Sequence, residues 1–146
     1  MTVNRATMSY EDLRKKLLFN GNYLDVEIAQ QADLYQMIIE ECTHYGQVLF
    51  DLKTKYDFEE SQTELRIRKN FENNNIKATE GKVEAEVKTD KALYALKQQI
   101  GTAQADYDKW YGLRKAWDMR ESSIDSTVKM VMSGYIAYKK PAPQHP

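Results

Sequence analysis

LYALKQQIGTAQADYDKWYGLRKAWDMRESSIDSTVKMVMSGY, residues 93–135, is the stretch that decides the fold. Taken in steps of three and four it reads Leu93, Leu96, Ile100, Ala103, Tyr107, Trp110, Arg114, Trp117, Glu121, Ile124, Val128, Val131, Tyr135. Only Arg114 and Glu121 break its apolar character, and no proline interrupts it. A 3.5-residue apolar repeat held over about six heptads marks a helix whose seam faces another helix. At about 1.5 Å per residue the stretch would span on the order of 65 Å. A helix of that length does not bury its stripe alone, so a partner is required.

The partner lies earlier in the chain. From Asp25 to Asn70 the apolar positions are Ile28, Ala32, Tyr35, Ile38, Cys42, Tyr45, Leu49, Leu52 and Tyr56, again three and four apart, with a weaker continuation at Thr63 and Ile67. Gly46 sits inside this helix, where glycine costs about 1 kcal/mol relative to alanine. Two explanations stand side by side: close approach of another helix, or a tolerated defect. Asn73-Asn74-Asn75 breaks the pattern, because asparagine side chains compete with helical hydrogen bonds and favour turns. Short polar connections favour antiparallel neighbours.

The expected fold is therefore all-α: an extended antiparallel helical hairpin, coiled-coil-like, with a short N-terminal helix. One helical domain spans 9–138, with a short helix over 10–19, a long helix over 25–70, a turn and short helix over 73–88 and a long helix over 90–138. Ser9-Tyr-Glu-Asp reads as a capping box for the first helix, with Leu13, Leu17 and Leu18 on its apolar side and Asn20-Gly21 as its stop. Asp25, Thr79 and Asp90 read as caps for the later starts. Residues 1–8 and the tail 139–146 are expected to be disordered.

The last helix carries more apolar surface than one seam needs. Tyr107, Trp110, Trp117 and Tyr135 lie on the stripe, and Tyr111, Leu113, Met119, Met130 and Met132 lie off it. Apolar residues on two faces predict self-association into a homo-oligomer through Trp110, Trp117, Ile124, Val128 and Val131. The alternative is that they cover the N-terminal helix within one chain.

Composition narrows the function classes. The formal net charge is −1, so no global field recruits nucleic acid or membrane. No run of eighteen apolar residues exists and the first ten residues lack a signal core, which argues against membrane insertion and secretion. Cys42 is the single cysteine, which rules out an intrachain disulfide and a cysteine metal cluster and suits a reducing cytoplasm. The two histidines are His44, expected to face solvent, and His145 in the tail. There is no Gly-rich phosphate loop, nucleophile elbow or His-Glu-x-x-His. Glu40-Glu41 and Glu59-Glu60 are neighbours that point about 100° apart on a helix and form no dyad. The expectation is a non-enzyme without metal or cofactor.

Local charge is more informative. Residues 22–62 hold nine acids and two bases, whereas residues 63–91 hold six acids and seven bases, so the sign changes near the turn. Arg66, Arg68, Lys69 and Lys77 bracket the asparagines with only Glu72 among them. The plain explanation is a solvated helix end whose cations meet the negative pole of the helix dipole. The functional one is a phosphate-binding tip, with Phe71 as a stacking platform for a base. Repetition of the tip in an oligomer would make a net-neutral chain able to bind single strands.

The order of these features resembles the phage recombination mediators of the UvsY type. Tyr10-Glu-Asp-Leu13 is similar to that family's start, Leu34-Tyr35 to the apolar-Tyr pair early in its long helix, and Leu65-Arg66-Ile67-Arg68-Lys69-Asn70-Phe71 to its basic segment before the turn. Lys77-Ala-Thr-Glu80, Thr89-Asp90-Lys91 and the aromatic-rich Tyr107–Arg120 follow in the same sequence. The likeness runs from Ser9 to Gly134. Two departures are a longer span between Tyr35 and the basic segment and a single aromatic, Phe71, where the family has a pair. The resemblance implies a ring-like homo-oligomer that binds single-stranded DNA. It also implies a role in loading a phage recombinase onto DNA coated with single-strand-binding protein, in the host cytoplasm. It implies phosphate contacts at Arg66 and Arg68, to which the charge pattern adds Lys69 and Lys77, and subunit contacts in the C-terminal helix. The rival expectation is a structural or scaffolding coiled-coil protein of a phage, with no DNA binding.

Overall fold

The computed structural model describes residues 8–137. Residues 1–7 and 138–146, which include the expected tail and the end of the last expected helix, lie outside the described residues. The described residues are all-helical, 85% helix without strands. Its elements are α1 (Tyr10–Lys15), a 3-10 turn (Gly21–Tyr23), α2 (Leu24–Asn73), α3 (Glu80–Thr89) and α4 (Lys91–Met132). Two compact units divide the chain, Met1–Thr43 with Lys109–Pro146 and His44–Asp108.

In the first unit, α1 starts at Ser9, whose hydroxyl accepts from the Asp12 amide at 3.2 Å. It buries Leu13, and Tyr10 meets Trp110 edge to face at 5.4 Å between ring centres. Trp110 thus packs against α1 within one chain, whereas Tyr111, Met119, Met130, Met132 and Tyr135 remain exposed. Trp117 is fully buried, and Trp110, Leu113 and Ile124 of the same helix are buried as well. Tyr35 of α2 donates its hydroxyl to Asp118 of α4. The hydrogen bond to Asp118 raises the tyrosine pKa.

In the second unit, Gly46 faces the Tyr107 ring: a Cβ there would lie 3.3 Å from the ring edge. This close approach matches the first of the two explanations for this glycine. Lys53 donates to Gln104 at 3.2 Å, and Ile67, Val83, Val87 and Leu93 form a buried cluster joining α2, α3 and α4. Val83 and Val87, four apart, are what α3 contributes.

Both long helices stop on the same backbone device. Asn75 takes φ 53°, the Asn75 amide donates to the Glu72 carbonyl and the Ile76 amide to the Phe71 carbonyl. Gly134 takes φ 78°, its amide donates to Val131 and the Tyr135 amide to Met130. These are Schellman motifs with a left-handed residue just past the helix. They place the end of α2 at Asn73 rather than Asn70, and the end of α4 at Met132 rather than Tyr138.

Three further expectations are corrected. The first helix ends at Lys15, not Phe19, and Leu18 is exposed. Asn20 caps the 3-10 turn instead, accepting from the Asn22 amide at 3.0 Å, and Asp25 lies in the first turn of α2 rather than at its cap. The inward row of α2 is offset at its start: Ile28 and Ala32 are exposed, whereas Leu24 and Leu34 are buried and Glu27 and Gln31 turn toward α4. The reason is Arg120.

Arg120 is buried on α4. It donates to the Lys16 carbonyl at 2.9 Å, to the Gln31 amide oxygen and to the Glu27 carboxylate. Its guanidinium lies 4.7 Å from the Trp117 ring centre. A buried cation needs acceptors from every element around it. That need draws a glutamate and a glutamine into positions that apolar spacing alone assigned to Ile28 and Ala32.

Candidate nucleic-acid interface

The α2–α3 turn belongs wholly to the second unit, and α2 delivers the basic segment to it. Residues two apart on a helix point about 200° apart. Arg66 and Arg68 accordingly leave α2 on different sides. Arg66 reaches the start of α4, where its Nη2 donates to Asp90 Oδ2 at 2.8 Å. Arg68 reaches the start of α3, where its Nη2 donates to both Glu80 oxygens, at 2.8 and 3.0 Å.

The two pairs differ in build. Asp90 is the N-cap of α4: its Oδ1 accepts from the Ala92 and Leu93 amides at 2.9 and 3.1 Å, and Oδ2 is left for Arg66. The Leu93 amide above all, then the Ala92 amide and Arg66, holds this carboxyl below the usual range against partial desolvation. Its side chain is 16% exposed, against 65% for Arg66, so most of the Arg66 side chain faces water. Glu80 is 76% exposed, and the hydrogen bond from Arg68 lowers its pKa.

Lys69 and Lys77 are exposed, and neither makes an ion pair among the described residues. Lys69 stands three residues after Arg66 and shares its face of α2. Of the four cations expected to act together, geometry groups Arg66 with Lys69 and sets Arg68 apart. Phe71 is half-buried against the Ile67, Val83, Val87 and Leu93 cluster. Part of its ring packs on the core of the unit, which reduces the face left for stacking. An apolar residue one turn beyond Ile67 carried that signal in the sequence.

Two clefts lie where the start of α4 meets α2. A cleft of about 510 Å³ is lined by Glu60, Glu64 and Glu84 with Lys88 and Lys97, a balance that disfavours phosphate. A cleft of about 340 Å³ lies beside Arg66 and Asp90. No group of three or more His, Cys, Asp or Glu side chains among the described residues is placed to hold a metal ion. No helix among them is long and apolar enough to cross a membrane.

The row expected to join subunits is largely used inside the chain. Trp110, Trp117 and Ile124 are buried, which leaves them no face for a second copy. Val128 and Val131 are half-buried and line a shallow apolar groove with Leu24, Ile28 and Met132 in the first unit. In the second unit, Phe50, Phe58 and Leu65 are exposed on α2. Arg120 escaped sequence reasoning because it lies beside the stripe rather than on it. The signal available was a lone arginine three residues after a tryptophan, together with Glu27 and Gln31 four apart on the partner helix.

No protein-family model, no curated protein and no solved structure matches this chain.

Proposed function

We propose that the chain is a non-enzymatic recombination mediator that binds single-stranded DNA as a homo-oligomer. In this reading it helps load a phage recombinase onto DNA coated with single-strand-binding protein, in the host cytoplasm. The observation that carries it is the exposed cation face of Arg66 and Lys69, beside a turn that adds Lys77. Arg66 keeps its Asp90 contact with one nitrogen and still presents donors to water, and such donors suit a phosphate. The order of sequence features shared with mediators of the UvsY type supplies the class. Self-association falls to surface left open within the chain, of which Val128 and Val131 with Met132 form one part.

A second reading, a structural or scaffolding coiled-coil protein, is favoured by the pairing of Arg68 with Glu80. Anisotropy of labelled oligo-dT separates the two. A mediator binds with log affinity falling linearly against log salt, by about 0.7 per phosphate contact on single strands. Arg66→Glu with Lys69→Glu flattens that slope by more than one contact. Absence of binding at about 50 mM salt, in an oligomer verified by light scattering, rejects the mediator reading in favour of the scaffold.

A further inference from the structure

The two arginine pairs at the turn make unequal offers to a phosphate. Asp90 is held by two backbone amides and spares one oxygen for Arg66, whose side chain is mostly in water. Arg66 therefore takes a phosphate without releasing its partner. Arg68 is only 35% exposed, and one of its nitrogens is shared between both oxygens of Glu80. Glu80 is the first residue of α3, twelve positions along the chain, and turns back across the turn to reach Arg68. Carboxylate and phosphate oxygens are the same kind of acceptor for a guanidinium.

We infer that Glu80 is a built-in competitor for phosphate at Arg68, so that a single strand must displace this carboxylate before the arginine contributes to binding. The inference rests on the reading of the turn as a single-stranded DNA surface. It makes Arg66 and Lys69 the first contacts and Arg68 a gated one. It also gives the turn a discrimination against small anions: an isolated phosphate gains only one contact for the ion pair it breaks, whereas a strand anchored at Arg66 and Lys69 brings the next phosphate at high effective concentration.

The test is a double-mutant cycle on full-length protein with labelled oligo-dT: wild type, Glu80→Gln, Arg68→Ala and both together, with Glu72→Gln as a charge control. Glu72 is exposed, lies one turn from Arg68 on α2, and makes no ion pair among the described residues. Glu80→Gln is expected to tighten binding about two- to five-fold, the range that loss of an exposed ion pair allows. In the Arg68→Ala background the same change is expected to do nothing. Far-UV circular dichroism checks that helicity is kept. Equal tightening in both backgrounds, or equal tightening by Glu72→Gln, assigns the effect to general charge and overturns the inference. So does unchanged or weaker binding by Glu80→Gln while wild type binds with steep salt dependence; that result leaves the mediator reading standing. If neither wild type nor Glu80→Gln binds at low salt, both fall. If only Glu80→Gln binds, the gate is stronger than an exposed pair implies.

Discussion

Replacing Arg120 with alanine should be among the most damaging single changes in the first unit. The side chain is 2% exposed and its partner Glu27 is 21% exposed. Alanine leaves the Glu27 carboxylate, the Gln31 amide oxygen and the Lys16 carbonyl without their donor, and empties the space over the Trp117 ring. Breaking a buried ion pair by removing one member costs about 3–5 kcal/mol, because the remaining charge stays desolvated. The lower half of that range applies here, since Glu27 retains some water. With 146 residues and about 2.1 cal/mol/K of unfolding entropy each, one kcal/mol shifts the melting temperature by roughly 3 °C. The expected fall is roughly 10–13 °C in a thermal melt followed at the helical band. Hydrogen exchange should accelerate most in α1 and the Gly21–Tyr23 turn, which the Lys16 contact ties down. Arg120→Met with Glu27→Met should recover much of the loss, because the uncompensated charge goes with its partner. A fall of less than about 3 °C for Arg120→Ala would show that water already serves these groups, and would refute the account of why Glu27 and Gln31 face inward.

Other outcomes follow from single sites. Gly46→Leu forces a side chain into the Tyr107 ring and should cost about 1–3 kcal/mol by urea titration, whereas an unpacked glycine would gain helix propensity. Asn75→Val places a β-branched residue at φ 53° and should cost about 1–2 kcal/mol, with Asn75→Gly neutral or stabilising; a harmless valine would mean the Schellman end is not maintained. Asp90 is held below its ordinary value of 3.8 chiefly by the Leu93 amide, so its stabilisation is complete above that value and is lost as pH falls through the depressed one. Asp90→Asn should therefore be less stable than wild type near pH 7 and converge with it in strong acid. A gap independent of pH would assign the effect to cap geometry alone.

Much of this chain follows from local patterns. Three-and-four spacing, the absence of internal proline and the asparagine run specify two long helices joined by a short polar turn, and each rule acts within a few residues. Ser9 and Asp90 were legible as caps because a cap needs only its own neighbours. The basic cluster at the turn was legible as composition, yet its geometry was not. That Arg66 and Arg68 part company depends on where α3 and α4 begin, which brings Asp90 and Glu80 to opposite sides of α2.

Tertiary packing alone decided the use of Trp110 and Trp117 on α4, while Tyr111, Met119, Met130, Met132 and Tyr135 remain exposed. Sequence spacing permits Trp110 and Trp117 to face a second copy or the chain's own α1, since either option removes the stripe from water. The structure selects the second, with Tyr10 against Trp110 and Arg120 bound to the Lys16 carbonyl. A periodic pattern counts apolar positions without regard to a buried charge beside them. Once Arg120 is buried, the cost of leaving it without acceptors exceeds the gain from turning Ile28 inward, and the facing row of α2 becomes polar at Glu27 and Gln31.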